Sequence, residues 1–282
     1  MKEKILAELD KNNELPPFPN VLVKLNKILN DPKSGIDEVA SVIMLDPVLS
    51  GRILSYANSS LFGMIKADSF KTAVARIGVD ELKKLAFSMK VKDFFKKIDI
   101  IDSYSFWKHN ISVALLSQRL SKYVSVSEKS ENIAYFSGLM HDIGIILFIY
   151  IMPGAYFDFL ENYDGRIPLE SAEKENFGID HPELGAYFLE KKWKIPGEIV
   201  EAVRGHHLPV HTNKDIQQAA GLVHIADSIC RSQGFAYGIE NQESSFRSEV
   251  WEMLGFSLDD VFLIIEDMEE AVAGAEKILG EK

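Results

Sequence analysis

The chain has 282 residues, 42 acidic and 31 basic, a formal net charge of −11, with 46% hydrophobic residues. That apolar share supports a sizeable core in one large domain or two moderate ones. The acidic balance repels phosphate backbones and argues against sequence-independent nucleic-acid binding; the one candidate basic patch runs from Lys83-Lys84 to Lys96-Lys97.

Helical spacing of apolar residues dominates from the start. Val21, Leu22, Leu25, Ile28 and Leu29 predict a first helix that ends before Asn30-Asp31-Pro32. Ile36-Asp37-Glu38 opens a second, which closes before Asp46-Pro47. Helices over 48–57, 68–77 and 80–95 follow, the first of them broken by Asn58-Ser59-Ser60. Residues 96–104 read as a seam, after which the pattern restarts at Phe106-Trp107. Further helices are expected over 105–124, 128–150, 153–163, 168–178, 180–193, 196–206 and 215–233. Pro168 and Pro196 mark starts, and Gly178 and Gly205 mark stops. Residues 234–245 read as a loop, and helices over 246–254 and 257–279 close the chain. Alternating β-branched stretches are scarce, so the expected fold class is all-α without a sheet. The expected organisation is an N-terminal helical part (1–98), a helical part that carries the chemistry (99–235) and a helical tail (236–282).

The single cysteine, Cys230, lies in an apolar helical run, reads as a buried structural thiol and fits a reducing cytoplasm. No secretory signal opens the chain, and the longest apolar run, 143–152, is too short to cross a bilayer. The expectation is a cytoplasmic protein with no membrane partner.

The chemistry concentrates in histidines and aspartates. His141-Asp142 lies near the end of an apolar helix. Such a dipeptide alone is weak evidence, since it arises by chance and also serves in helix-end hydrogen bonds. Its companions strengthen it. His109 lies on the preceding long helix and Asp227 on a later one. His181 opens a helix behind Asp180, and His206-His207 follows a helix end. An aspartate in the apolar run 222–229 is costly to bury unless a cation or histidine pairs with it. Five imidazoles and two carboxylates suit a divalent first-row metal such as Fe, Mn, Ni or Zn. Seven donors exceed the needs of one catalytic zinc, so two ions with a bridging Asp142 are expected if all converge. Plainer readings stay open: His181 as a residue before Pro182 with Asp180 as the cap, and His206-His207 as an exposed loop pair, against the reading in which at least one of the two ligates. His211 and His224 fit no ligand slot and read as structural. Trp107, Trp193 and Trp251 read as packing residues, Asn58 and Ser59 as caps, and Arg52 and Arg76 as surface ion pairs.

His109, His141-Asp142 and Asp227 match the H…HD…D pattern of the HD superfamily of metal-dependent phosphohydrolases. His181 and His206-His207 match the extra ligands of its two-metal branches. Leu15-Pro16-Pro17-Phe18-Pro19, Asp46-Pro47-Val48-Leu49, Ala57-Asn58-Ser59, Phe62-Gly63 and the run from Ala73 to Gly78 resemble the motifs of HDOD domains, as do the run from Gly138 to Gly144 and His181-Pro182-Glu183-Leu184-Gly185. The resemblance covers about residues 15–235. It implies an HD-like helical bundle with an N-terminal helical subdomain. The implied role is a bacterial signal-transduction module without established catalysis, with signalling proteins as partners in trans; such domains often lose HD ligands, whereas this chain keeps the set and is expected to bind metal and a nucleotide or phosphorylated small molecule. Two departures separate the chain from the HD-GYP phosphodiesterases. Ile145 stands where their HD-x-G-K motif has lysine, and Leu208-Pro209 follows the histidine pair. The rival the resemblance implies is an active metal-dependent phosphohydrolase, and a third reading is a scaffold with a metal-free pocket.

Overall fold

Helix starts follow caps written in the sequence. The side chains of Asp46, Ser69, Asp102, Ser127, Asp180 and Asn213 each accept a backbone N–H from the first turn of the adjoining helix. The computed structural model describes residues 1–11, 24, 36–59, 67, 69–94, 102–235 and 246–280, and no strand occurs among them. In chain order the helices are α1 (Lys2–Lys11), α2 (Ile36–Met44), α3 (Pro47–Ala57), α4 (Phe70–Ile77), α5 (Val79–Phe94), α6 (Ser103–Leu120), α7 (Glu128–Met140) and α8 (Ile143–Ile151). They continue as α9 (Pro153–Glu161), α10 (Leu169–Phe177), α11 (His181–Lys191), α12 (Gly197–Arg204), α13 (Lys214–Ser232), α14 (Ser248–Leu254) and α15 (Val261–Leu279). Short 3-10 turns lie at Ser121–Tyr123 and Leu258–Asp260. The protein is all-α.

The chain divides into two compact units, residues 16–97 with 276–282, and residues 1–15 with 98–275. The smaller buries Val39, Ile43, Leu49, Ile53, Leu82 and Met89. In it Asn58 ends α3 and its side chain accepts the Ala67 N–H at 2.6 Å, while Arg76 donates to the Ala57 carbonyl at 3.1 Å. Arg76 thus serves the backbone, not a surface acid.

The larger unit holds the histidines. Its core joins Val113 and Leu116 of α6, Ile133 and Ala134 of α7, and Leu222 and Val223 of α13. Trp107 and Trp193 are buried, as is the thiol of Cys230, whose pKa burial raises. Gly138 lets α7 close on α6, because a Cβ there would sit 3.1 Å from the Ala114 Cα. Gly178 ends α10 with φ +74°, a left-handed stop that favours glycine.

Two further expectations change. The helix expected over 128–150 is two helices, and the break falls on His141-Asp142, with Asp142 at φ −98°, ψ 11°. A continuously apolar run hides such a turn, since periodicity says nothing about where a fully buried helix stops. The Glu128–Ile151 stretch is apolar and long enough to span a bilayer, yet most of it lies buried in the protein. Second, α1 forms where no helix was expected. Its two buried apolar residues, Ile5 and Leu9, are few, but Tyr187 and Lys192 of the same unit both donate to Asp10. The expected helix at 21–29, the motif at 15–19, Phe62-Gly63, most of the seam at 96–104 and most of the loop at 234–245 lie outside the described residues.

Candidate metal centre

The fold of the larger unit delivers all seven candidate ligands to one place. α6 supplies His109, the α7–α8 break His141 and Asp142, and the first residue of α11 His181. The turn after α12 supplies His206 and His207, and α13 supplies Asp227. All are buried except His207, which is partly exposed.

Each of four rings is aimed through its Nδ1. His141 faces the Gly138 carbonyl and His206 the Val203 carbonyl, each at 2.7 Å and each three residues back. Both use a carbonyl that the end of a helix leaves without an intrahelical partner. His109 faces the Phe235 carbonyl at 2.6 Å, in the turn where Gly234 at φ +80° closes α13. His181 faces a carboxylate oxygen of Glu173 at 2.7 Å. A carbonyl or carboxylate only accepts, so each Nδ1 carries the proton and each Nε2 is turned toward the centre.

The Nε2 atoms and the two carboxylates form two lobes. In the first, His109 Nε2 lies 2.9 Å from Asp227 Oδ1, and His141 Nε2 lies 3.0 Å from Asp142 Oδ2 and 3.6 Å from Asp227 Oδ1. In the second, Asp142 Oδ1 lies 3.3 Å from His181 Nε2 and 3.8 Å from His206 Nε2, while His181 and His207 bring their Nε2 atoms to 3.0 Å. The ligand atoms of each four-residue lobe lie within 4.8 Å of one another, and Asp142 belongs to both. Its two oxygens face different lobes.

These residues fit a divalent cation. The Nε2 atoms of His141 and His206 are buried and make no hydrogen bond. Two imidazole nitrogens on adjacent positions of one ion, each at about 2.1 Å, lie about 3 Å apart. The His181–His207 separation matches that spacing.

Two further charged groups complete the centre. Glu173 is fully buried; it takes the Tyr156 hydroxyl on one oxygen and both the His181 N–H and Nδ1–H on the other. Arg231 donates from Nε to Asp227 Oδ1 at 2.7 Å and from Nη2 to Asp142 Oδ2 at 2.8 Å. Sequence reasoning missed both. Glu173 sits in a charged stretch that reads as solvated surface. Arg231 does carry a signal, a position four residues after Asp227 on the same helix.

The electrostatics alternate. Burial pulls the His141 pKa down, but the Asp142 and Asp227 carboxylates outweigh it and set it at about 9. His181 is likewise raised against burial by Glu173 and Asp142. Burial and the neighbouring His141 charge bring His206 down to about 3, and burial with the His206 and His181 charges holds His207 well below the usual range. Burial opposes the charge on Asp142 and Asp227, yet Arg231 and the histidines keep both carboxylates ionised. Cationic His181 can therefore donate to neutral His207.

His224 and His211 stay outside the centre, as their sequence positions suggest. His224 donates to the His206 carbonyl and accepts the Arg247 N–H, which leaves neither ring nitrogen for a ligand. His211 accepts from Asn213 in a surface loop. Beside His207 a cavity of 380 Å³ opens, lined in part by Glu170, Lys174, Arg204 and Arg247.

A family model for the HDOD domain matches residues 15–209. The chain belongs to the HDOD family. Among solved structures, an HDOD domain protein with unknown function from Geobacter sulfurreducens superposes with a TM-score of 0.80 at 25% identity, covering 99% of each chain. A candidate phosphohydrolase from Shewanella amazonensis SB2B gives 0.75 at 25% identity, covering 96% of this HDOD chain and 97% of the other. An uncharacterized protein of Treponema pallidum is 22% identical over 224 residues, which is 79% of this chain; the match spans 43% of that longer protein.

Proposed function

We propose that this chain is a cytoplasmic HDOD signalling module whose centre binds two divalent first-row ions, Fe, Mn, Ni or Zn, through His109, His141, Asp142, His181, His206, His207 and Asp227. A nucleotide or phosphorylated small molecule enters by the cavity at His207, and the state of the site passes to signalling proteins in trans. The observation that carries this reading is the Asp142 carboxylate, one oxygen of which faces each four-residue lobe. Bound ions supply Lewis acidity toward a phosphate oxygen. The chain's own groups do the rest. Main-chain carbonyls and Glu173 fix the rings, buried apolar helices exclude water, and His207 presents the partly open edge to a ligand.

Metal analysis of the purified chain, with an element-specific absorption edge, tests this. Up to two ions per chain are expected at saturation, removable by chelator; protein that stays metal-free at saturating Mn, Fe, Ni and Zn sinks the reading. Glu173→Gln is expected to weaken the second lobe by about 10- to 100-fold, as outer hydrogen-bond partners of metal ligands do. Chelator competition reads this, and unchanged affinity would show that Glu173 does not orient His181.

The rival reading, a phosphohydrolase acting on a nucleotide or phosphate ester, is favoured by one observation: the ligand set is complete and opens to a cavity. Turnover of nucleotides and cyclic dinucleotides by the metal-loaded chain, lost in Asp142→Ala, decides for it. A loaded chain with no turnover leaves the binding module.

A further inference from the structure

The two lobes are not equivalent, because a fixed cation already sits on one of them. Arg231 Nε and Nη2 donate to Asp227 Oδ1 and Asp142 Oδ2 at 2.7 and 2.8 Å. Those are the two oxygens that face His109 and His141, so the guanidinium covers both anionic donors of the first lobe. The second lobe uses the other oxygen of Asp142 and three imidazoles. An arginine cannot shed its charge by losing a proton, so it can relieve repulsion from an incoming dication only by moving. Its side chain is largely buried and forked across two carboxylates, an arrangement that resists movement.

We infer that Arg231 is a built-in competitor for metal at the first lobe, so that the centre loads in order: the imidazole-rich second lobe fills tightly, and the first fills weakly and only as the guanidinium gives up its carboxylates. Arg231 thereby sets how much metal the centre holds at a given free concentration. A single-ion and a two-ion state become distinct conditions of one chain. The same guanidinium neutralises Asp142 and Asp227 while the first lobe lacks an ion, which spares two buried carboxylates the cost of standing unpaired. This inference rests on the reading of the cluster as a two-ion centre.

Metal-stripped full chain titrated with Mn(II) or Zn(II) in a calorimeter tests it. Wild type is expected to bind in two unequal steps. X-ray absorption at one equivalent should show three imidazoles, and at two equivalents a lower average. Arg231→Met should tighten the weaker step by about tenfold or more and leave the tighter one alone. Arg231→Lys, which keeps a charge but loses the fork, should fall between and serves where the Met variant does not fold. Asp227→Asn should remove the weaker step only. Two equal steps in wild type, or a weaker step unmoved or loosened in both arginine variants, overturns Arg231 as competitor while the metal centre stands. Absence of any binding in wild type removes the centre and this inference with it.

Discussion

Asp142→Ala is expected to strip metal from both lobes at once. Asp142 gives Oδ2 to the His109–His141–Asp227 group and Oδ1 to the His181–His206–His207 group, so no other single residue belongs to both. The same change removes one of the two carboxylates that the Arg231 guanidinium and the His141 imidazolium, pKa about 9, share in a buried site, leaving both on Asp227 alone. Breaking a buried pair by removing one partner costs about 3–5 kcal/mol. A lower denaturation midpoint should therefore accompany the loss of metal. Asp142→Asn keeps the side-chain volume, so its midpoint against that of Asp142→Ala shows how much of the drop comes from lost charge and how much from a void. Metal content per chain reads the outcome. One ion retained at full affinity in Asp142→Ala would show that the carboxylate is not shared.

Gly144→Ala should damage the centre without touching a ligand. A Cβ at residue 144 would lie 2.0 Å from the His181 carbonyl oxygen, a backbone atom that no rotamer change can move. Gly185 on α11 is similarly tight, with a Cβ there 3.0 Å from Ile143 and 3.2 Å from the Gly144 nitrogen. α8 and α11 therefore meet backbone to backbone, and that approach sets Asp142 Oδ1 3.3 Å from His181 Nε2. Forcing them apart should cost about 3 kcal/mol or more, at the upper end of overpacking penalties. The second lobe should lose affinity more than the first. An unchanged denaturant midpoint would show that the two helices separate freely and that the contact does not hold the centre.

The residues explain what the sequence could reveal. His141-Asp142, His109 and Asp227 were legible because an aspartate is out of place in an apolar helix and because their order matches a known pattern. The all-α class was legible because periodicity is a local property. The break after Met140 was not, since a helix buried on every side has no polar face whose phase could slip. Glu173 was hidden for the opposite reason. Among Glu170, Lys174 and Glu175 it looks like surface, and only the tertiary fold turns that one carboxylate onto His181. α1 escaped because its apolar residues, Ile5, Leu6, Ala7 and Leu9, fill barely one turn among six charged ones and give too short a stretch to signal a face. What holds it includes Asp10, met by side chains nearly 180 residues away.

The way the rings are held has an evolutionary consequence. Three of the four acceptors that orient them are main-chain oxygens, at Gly138, Val203 and Phe235. A main-chain oxygen exists whatever side chain its residue bears, so drift at positions 203 and 235 leaves the rings aimed. Length is a different matter: one residue gained or lost inside α7 or α12 rotates the downstream residues by about 100° and swings the imidazole, together with its carbonyl, away from the centre. Descendants of this chain should therefore diverge freely in the lettering of these helices and hardly at all in their residue counts.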